Sequence, residues 1–198
     1  GGMGAYAPAP LLSKEKQDEV RKSILEPTLN TLRARGIDYR GVIYVGLMLT
    51  SSGAKVIEYN CRFGDPECQT LMPLMGPELA NVLQSCALGA LNKAPKLSIS
   101  NLCSACVVAA SSGYPEAPRS GDLININTQT GTSLQIFHAG TKCTDQRKIY
   151  TSGGRVLSVV AQGENFDLAF KNAYEGMNEI NFNGMYFRRD IGYQVRNF

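Results

Sequence analysis

Between Val56 and Glu67 the chain reads V-I-E-Y-N-C-R-F-G-D-P-E, a short apolar strand that runs into five chemically capable side chains, Glu58, Asn60, Arg62, Asp65 and Glu67. Side chains alternate along a strand, so Val56, Glu58 and Asn60 are expected on one face, with Ile57 and Tyr59 packed into the core on the other. A carboxylate and an amide oxygen then stand side by side, about 7 Å apart by the strand rise. Two hard oxygen ligands with open coordination positions suit Mg²⁺, which keeps waters and completes its shell from substrate phosphates. Arg62 can hold a phosphate or carboxylate in a bidentate fork. Gly64 and Pro66 force a turn that aims Asp65 and Glu67 back toward the same region. Taken alone, E-x-N-x-R is more simply an edge strand with outward polar residues and a charged loop. Its place after a buried hairpin and before helices favours a site.

The elements that must position these residues follow from the pattern around them. G-V-I-Y-V-G-L-M-L, residues 41–49, is an almost uninterrupted apolar run that suits a central strand. T-S-S-G supplies a turn and A-K-V-I-E-Y pairs back, giving a β-hairpin in which Gly46 leaves room for a close approach. Upstream, Ser13 caps a helix running to about Arg35, with Pro27 kinking or splitting it and Gly36 stopping it. Two helical patterns follow between Cys68 and Leu91, broken at Gly76-Pro77. N-K-A-P-K-L-S-I-S lacks periodicity and carries a proline, which places a boundary there, with domains over 1–95 and 96–198. Beyond it, L-C-S-A-C-V-V-A-A, D-L-I-N-I-N, S-L-Q-I-F-H-A and G-R-V-L-S-V-V-A-Q are short strands between turn-forming clusters. A helix over 166–177 and a closing strand near 184–189 complete an α+β, sheet-rich second part.

Composition narrows the class. With 43% hydrophobic and 19% charged residues over 198 positions, the chain is an ordinary folded protein with length enough for a core. A net charge of +3 without a block of like charges argues against a nucleic-acid surface. No apolar run reaches membrane-spanning length and nothing at the start resembles a signal peptide, so no membrane partner and a cytoplasmic setting are expected. Cys103 and Cys106 form the one C-x-x-C, but on a strand they face opposite sides and suit core packing better than zinc. The chain opens G-G-M-G-A-Y-A-P-A-P, a glycine-rich loop with no element before it to connect, and so reads as a fragment of a longer polypeptide.

The acidic string resembles the metal-binding end of the ATP-grasp ligases, and within them the phosphoribosylamine–glycine ligase family. Four further strings carry the narrower resemblance: G-G-M-G-A-Y-A-P-A-P, F-H-A-G-T at 137–141, S-G-G-R-V-L at 152–157, and Y-F-R-R-D-I-G-Y-Q-V near the end. The resemblance implies the second half of an ATP-grasp domain followed by a small sheet-rich C-terminal domain. It implies ATP-dependent joining of glycine to 5-phosphoribosylamine through a glycyl phosphate, with ATP as co-substrate and Mg²⁺ (or Mn²⁺) as the metal. Glu58 and Asn60 would ligate that metal, Arg62 would stabilise the transferred phosphoryl group, and Asp65 and Glu67 would contact glycine or the amine.

Gly2, Gly4 and Gly64 would lie beside the substrate, His138 would shape its pocket, and Arg155 would bring a guanidinium to a phosphate. Residue by residue the plainer readings stand beside these: a turn for the glycines, a structural histidine, a surface arginine at a hairpin. Many ATP-grasp enzymes carry another acidic ligand on the strand before E-x-N; G-V-I-Y-V-G-L-M-L has none, which leaves the metal count open. The family's preceding domain and first ATP-grasp subdomain would be the missing N-terminal part of the same polypeptide, and this chain alone is expected to be inactive. Another ATP-grasp carboxylate–amine ligase or carboxylase, or a non-catalytic fragment, is the alternative.

Overall fold

The computed structural model describes residues 2–127, 131 and 133–196. In chain order the elements are β1 (Gly4–Ala7), α1 (Lys14–Val20), a π turn (Arg21–Leu25), α2 (Glu26–Ala34), β2 (Tyr44–Thr50) and β3 (Gly53–Asn60). Then come α3 (Glu67–Leu71), α4 (Leu79–Ala87), β4 (Cys103–Ala110), β5 (Asn125–Ile126), β6 (Leu134–His138), β7 (Thr141–Cys143), β8 (Ile149–Thr151), β9 (Arg155–Gly163), α5 (Phe166–Asn178) and β10 (Ile180–Asn181). The chain divides into two compact units. One holds the residues up to Pro8, Asp65–Met75 and everything from Ile99 onward; the other holds Ala9–Gly64 and Gly76–Ser98.

The unit containing the C-terminal half is built on an antiparallel sheet in the order β1-β4-β9-β6. β4 is apolar at nearly every position because both of its faces are covered. Ala105, Val107 and Ala109 join Leu157, Val159 and Ala161 of β9 against Ala169, Phe170, Ala173 and Met177 of α5. The small residues on both sides let the helix axis come close to the sheet, and close packing of this kind supplies most of the stability of such a layer. Cys106, Val108, Ala110 and Val160 face the other way, with Met3 among them. Cys103 packs with the first set and Cys106 with the second, so the C-x-x-C is split across the sheet as alternation requires. Asn165 caps α5, its side chain accepting from the Leu168 amide at 2.9 Å.

Two expectations need correcting in this unit. The opening G-G-M-G-A-Y-A-P is not only a loop: Gly4–Ala7 is an edge strand paired with β4, Gly4 opposite Val107. Glycine and alanine give no strand signal, and the partner lies a hundred residues away. The closing strand near 184–189 shrinks to a single bridge between Ala110 and Tyr186, held by the reciprocal backbone bonds Ala110 N–H to Tyr186 O at 2.7 Å and Tyr186 N–H to Ala110 O at 2.9 Å. Met185 and Phe187 still pack on the core.

The second unit carries the hairpin. Ser13 caps α1 through the Lys16 amide, the helix divides around the π turn before Pro27, and Gly36 follows the end of α2 at φ +70°. A proline lacks the amide donor and crowds the carbonyl four residues back, which the wider turn relieves. β2 and β3 form a two-stranded sheet, so the apolar run over 41–49 is one arm of a hairpin among the described residues, not a central strand.

Candidate active site

Glu58 and Asn60 stand at the end of β3, opposite Gly46 and Tyr44 of β2. The pairing slips between Gly46 and Leu47: Gly46 pairs with Glu58 but Leu47 pairs with Val56, leaving Ile57 as an extra residue. A bulge shifts the phase of alternation by one. Val56 and Tyr59 consequently line one groove of about 430 Å³ against α2, and the Tyr59 hydroxyl lies 3.0 Å from Thr28 Oγ1. Glu58 and Asn60 keep their shared face, with Asn60 Nδ2 donating to Glu58 Oε1 at 3.0 Å. The expected packing of Ile57 and Tyr59 into a core is therefore overturned: Ile57 is 63% exposed and Tyr59 49%.

Gly46 serves a different purpose from open room for a ligand. A Cβ built there would lie 2.9 Å from Glu58 Cγ and 3.7 Å from Oε1, so the missing side chain is the space that the Glu58 stem occupies. A divalent ion with an open shell fits this pair. The carboxylate and the amide lie within one ion's reach of each other, and a half-turn of the amide brings its oxygen to the carboxylate's side. No group of three or more His, Cys, Asp or Glu side chains suited to a metal occurs among the described residues. Arg62 is exposed; its Nη1 donates to the neighbouring Phe63 carbonyl at 2.9 Å. Gly64 is buried.

Asp65, Glu67, Gly2, Gly4, His138 and Arg155 belong to the sheet unit. Arg155 opens β9, and its guanidinium reaches back across the chain: Nη1 donates to Gly2 O at 3.0 Å and Asp65 O at 2.8 Å, Nη2 to Asp65 Oδ2 at 2.8 Å. Gly2 is held at φ +75°, and a Cβ there would stand 2.8 Å from Arg155 Nη1, so this glycine is the seat of the guanidinium. Gly1 of the same motif lies outside the described residues. At Gly4 the space of a side chain is filled by Cys106 O and Ile191 Cγ2, both 2.7 Å from an added Cβ.

His138 ends β6, exposed, with Nδ1 3.2 Å from Thr141 Oγ1 across the Ala139-Gly140 turn. F-H-A-G-T and S-G-G-R-V-L form one corner. Gly140 N–H donates to Arg155 O at 2.9 Å, Ser152 N–H to Gly140 O at 2.7 Å, and Ser111 Oγ to Gly153 O at 2.6 Å. Cys106 is buried in mid-β4 opposite Val160, its thiol pushed up to about 12 by burial against weaker opposing hydrogen bonds from Ser158 and Thr70. Gln69 escaped the sequence reading. Its Nε2 donates to Asp65 Oδ1 at 2.9 Å, and the four-residue spacing of Asp65 and Gln69 at a helix start was the available signal.

A hairpin ending in a neighbouring carboxylate and amide, with a sheet-and-helix unit beside it in sequence, fits one class: part of an ATP-grasp fold followed by a C-terminal domain. A biotin carboxylase of Campylobacter jejuni shares the fold at a TM-score of 0.61 and 14% identity, over 99% of this chain and 45% of that one. The model of the phosphoribosylglycinamide synthetase ATP-grasp (A) domain matches residues 1–68, and that of the phosphoribosylglycinamide synthetase C domain matches residues 104–194. A phosphoribosylamine–glycine ligase of Nostoc sp. is 48% identical over 98% of this chain and 46% of its own length. The trifunctional purine biosynthetic protein adenosine-3 of Gallus gallus is 43% identical over 98% of this chain and 19% of its own. The crystal structure of a phosphoribosylamine–glycine ligase from Thermotoga maritima superposes at a TM-score of 0.79 with 34% identity, over 95% of this chain and 46% of that one. The chain belongs to the phosphoribosylamine–glycine ligase family. It spans about half the length of the single-enzyme relatives that it matches.

Proposed function

We propose that the whole protein joins glycine to 5-phosphoribosylamine at the expense of ATP, releasing ADP and phosphate, in the cytoplasm. This chain supplies the metal-binding part of the ATP-grasp domain within residues 1–95 and the C-terminal domain over 96–198; the N-terminal remainder of the same polypeptide supplies the rest. The observation that carries the reading is the Glu58–Asn60 pair seated against Gly46, in a chain of this family.

Glu58 and Asn60 hold Mg²⁺ (or Mn²⁺), which neutralises phosphate charge when bound. Arg62, exposed and, among the described residues, bonded only to a neighbouring carbonyl, has donors left for the transferred phosphoryl group. A glycine carboxylate oxygen attacks the γ-phosphorus and ADP leaves, giving glycyl phosphate. The amine of phosphoribosylamine then attacks the acyl carbon, and phosphate leaves carrying that carboxylate oxygen. Glu67 contacts the amine, and His138 lines the substrate side of the F-H-A-G-T turn. Gly2 and Gly4 act through packing, Gly64 through the turn it shares with Pro66.

Glycine labelled with ¹⁸O in both carboxylate oxygens tests the route in the full-length protein. One ¹⁸O per turnover is expected in the released phosphate. Phosphate free of label would exclude an acyl phosphate.

A further inference from the structure

Sequence spacing offers both Asp65 and Arg155 to a substrate, but each is already engaged. All three acceptors of the Arg155 guanidinium are protein oxygens, and the side chain is 26% exposed. Asp65 has its Oδ2 and its backbone carbonyl on Arg155 and its Oδ1 on Gln69. The Gln69 orientation is fixed as well: a half-turn of its amide would set Oε1 against the Asp65 carboxylate. In the observed orientation Oε1 is buried with no partner among the described residues, while Nε2 bonds the carboxylate. Glu67 follows two residues later at the start of α3, half-buried, and among the described residues no hydrogen bond or ion pair engages its carboxylate.

We infer that Arg155, Asp65 and Gln69 form a positioning clamp, anchored on the Gly2 carbonyl, that fixes the Asp65–Glu67 turn and presents Glu67 as the carboxylate that meets the attacking amine. The inference rests on the ligase reading above. As the C–N bond forms and the C–O bond to phosphate breaks, the amine loses a proton, and Glu67 is the free acceptor for it. Arg155 and Asp65 touch neither substrate. Lysine does not reproduce the contact, because a single ammonium nitrogen in the place of Nη1 leaves out the parallel bond that Nη2 makes to Asp65 Oδ2.

The test is a kinetic double-mutant cycle in the full-length protein. Arg155→Lys is expected to lower kcat on the order of 10- to 100-fold, the scale of a misplacement near 1 Å, with little change in KM for phosphoribosylamine. In a Glu67→Gln background the same substitution is expected to add less than about twofold, since the group it positions is gone. A raised KM with kcat retained would overturn the inference in favour of direct phosphate contact. So would a loss that multiplies fully in the Glu67→Gln background, or a fall in Tm alone with kcat unchanged. If the wild-type protein does not turn over glycine and phosphoribosylamine, the ligase reading fails, and the clamp is then judged by melting. Tm losses of Arg155→Lys and Asp65→Asn that fall short of additive support it; additive losses overturn it.

Discussion

Replacing Gly46 with alanine tests the proposed metal site without touching either proposed ligand. The added Cβ would sit 2.9 Å from Glu58 Cγ, a separation that carbon atoms do not hold, so the glutamate stem must swing away from β2. The pair proposed to share an ion is linked by a 3.0 Å hydrogen bond from Asn60 Nδ2 to Glu58 Oε1. Metal–ligand distances tolerate about 0.2 Å, and clearing the clash needs a displacement of several tenths. Disturbing the support of a ligand typically costs 10–100-fold in metal affinity, and we expect Gly46→Ala to raise the Mg²⁺ concentration for half-maximal ADP formation by about that factor. Folding should not suffer, because alanine in a strand is favoured over glycine by roughly 0.5–1 kcal/mol. The assay is a Mg²⁺ titration of ADP release by the full-length protein at saturating ATP, run beside Glu58→Gln and with melting curves for each variant. An unchanged Mg²⁺ requirement in folded Gly46→Ala would refute the seat assigned to Glu58.

Two further outcomes follow from the sheet unit. Phe170 is fully buried, with Tyr6 at 6.2 Å and Tyr174 at 6.4 Å between ring centroids, so Phe170→Ala should cost about 3–5 kcal/mol in urea unfolding; a loss below about 1 kcal/mol would mean that α5 does not pack as described. Cys106 titrates from an ordinary 9.0 up to about 12 because burial penalises the thiolate. The unfolded thiol ionises first as pH rises, so this group's contribution to stability is whole below pH 9 and is lost between pH 9 and about 12. A Cys106→Ser variant measured beside the wild type across that range should show a flatter decline, and identical slopes would contradict the burial.

The parts legible in the sequence were those set by neighbours in the chain. Ser13, Pro27 and Gly36 mark one helix through local rules, and the E-x-N spacing keeps Glu58 and Asn60 on one face whatever happens before them. What misled was decided by distant partners. The bulge at Ile57 exists only through its pairing with β2, and it turned Val56 toward Tyr59 and left Ile57 exposed. Glycine and alanine hid β1 until β4 supplied its hydrogen bonds. The acceptors of Arg155 were hidden for the same reason, lying 90 and 153 residues away, beyond any spacing rule.

The measurement that bears most directly on the function is ADP formation by the full-length protein with Mg-ATP, with glycine and freshly prepared phosphoribosylamine supplied separately and together. ADP release only when both are present is the expected result, with Glu58→Ala abolishing it. Release with neither substrate, or with a different acid and amine pair, would contradict the substrate assignment, and full activity in Glu58→Ala would contradict the metal site.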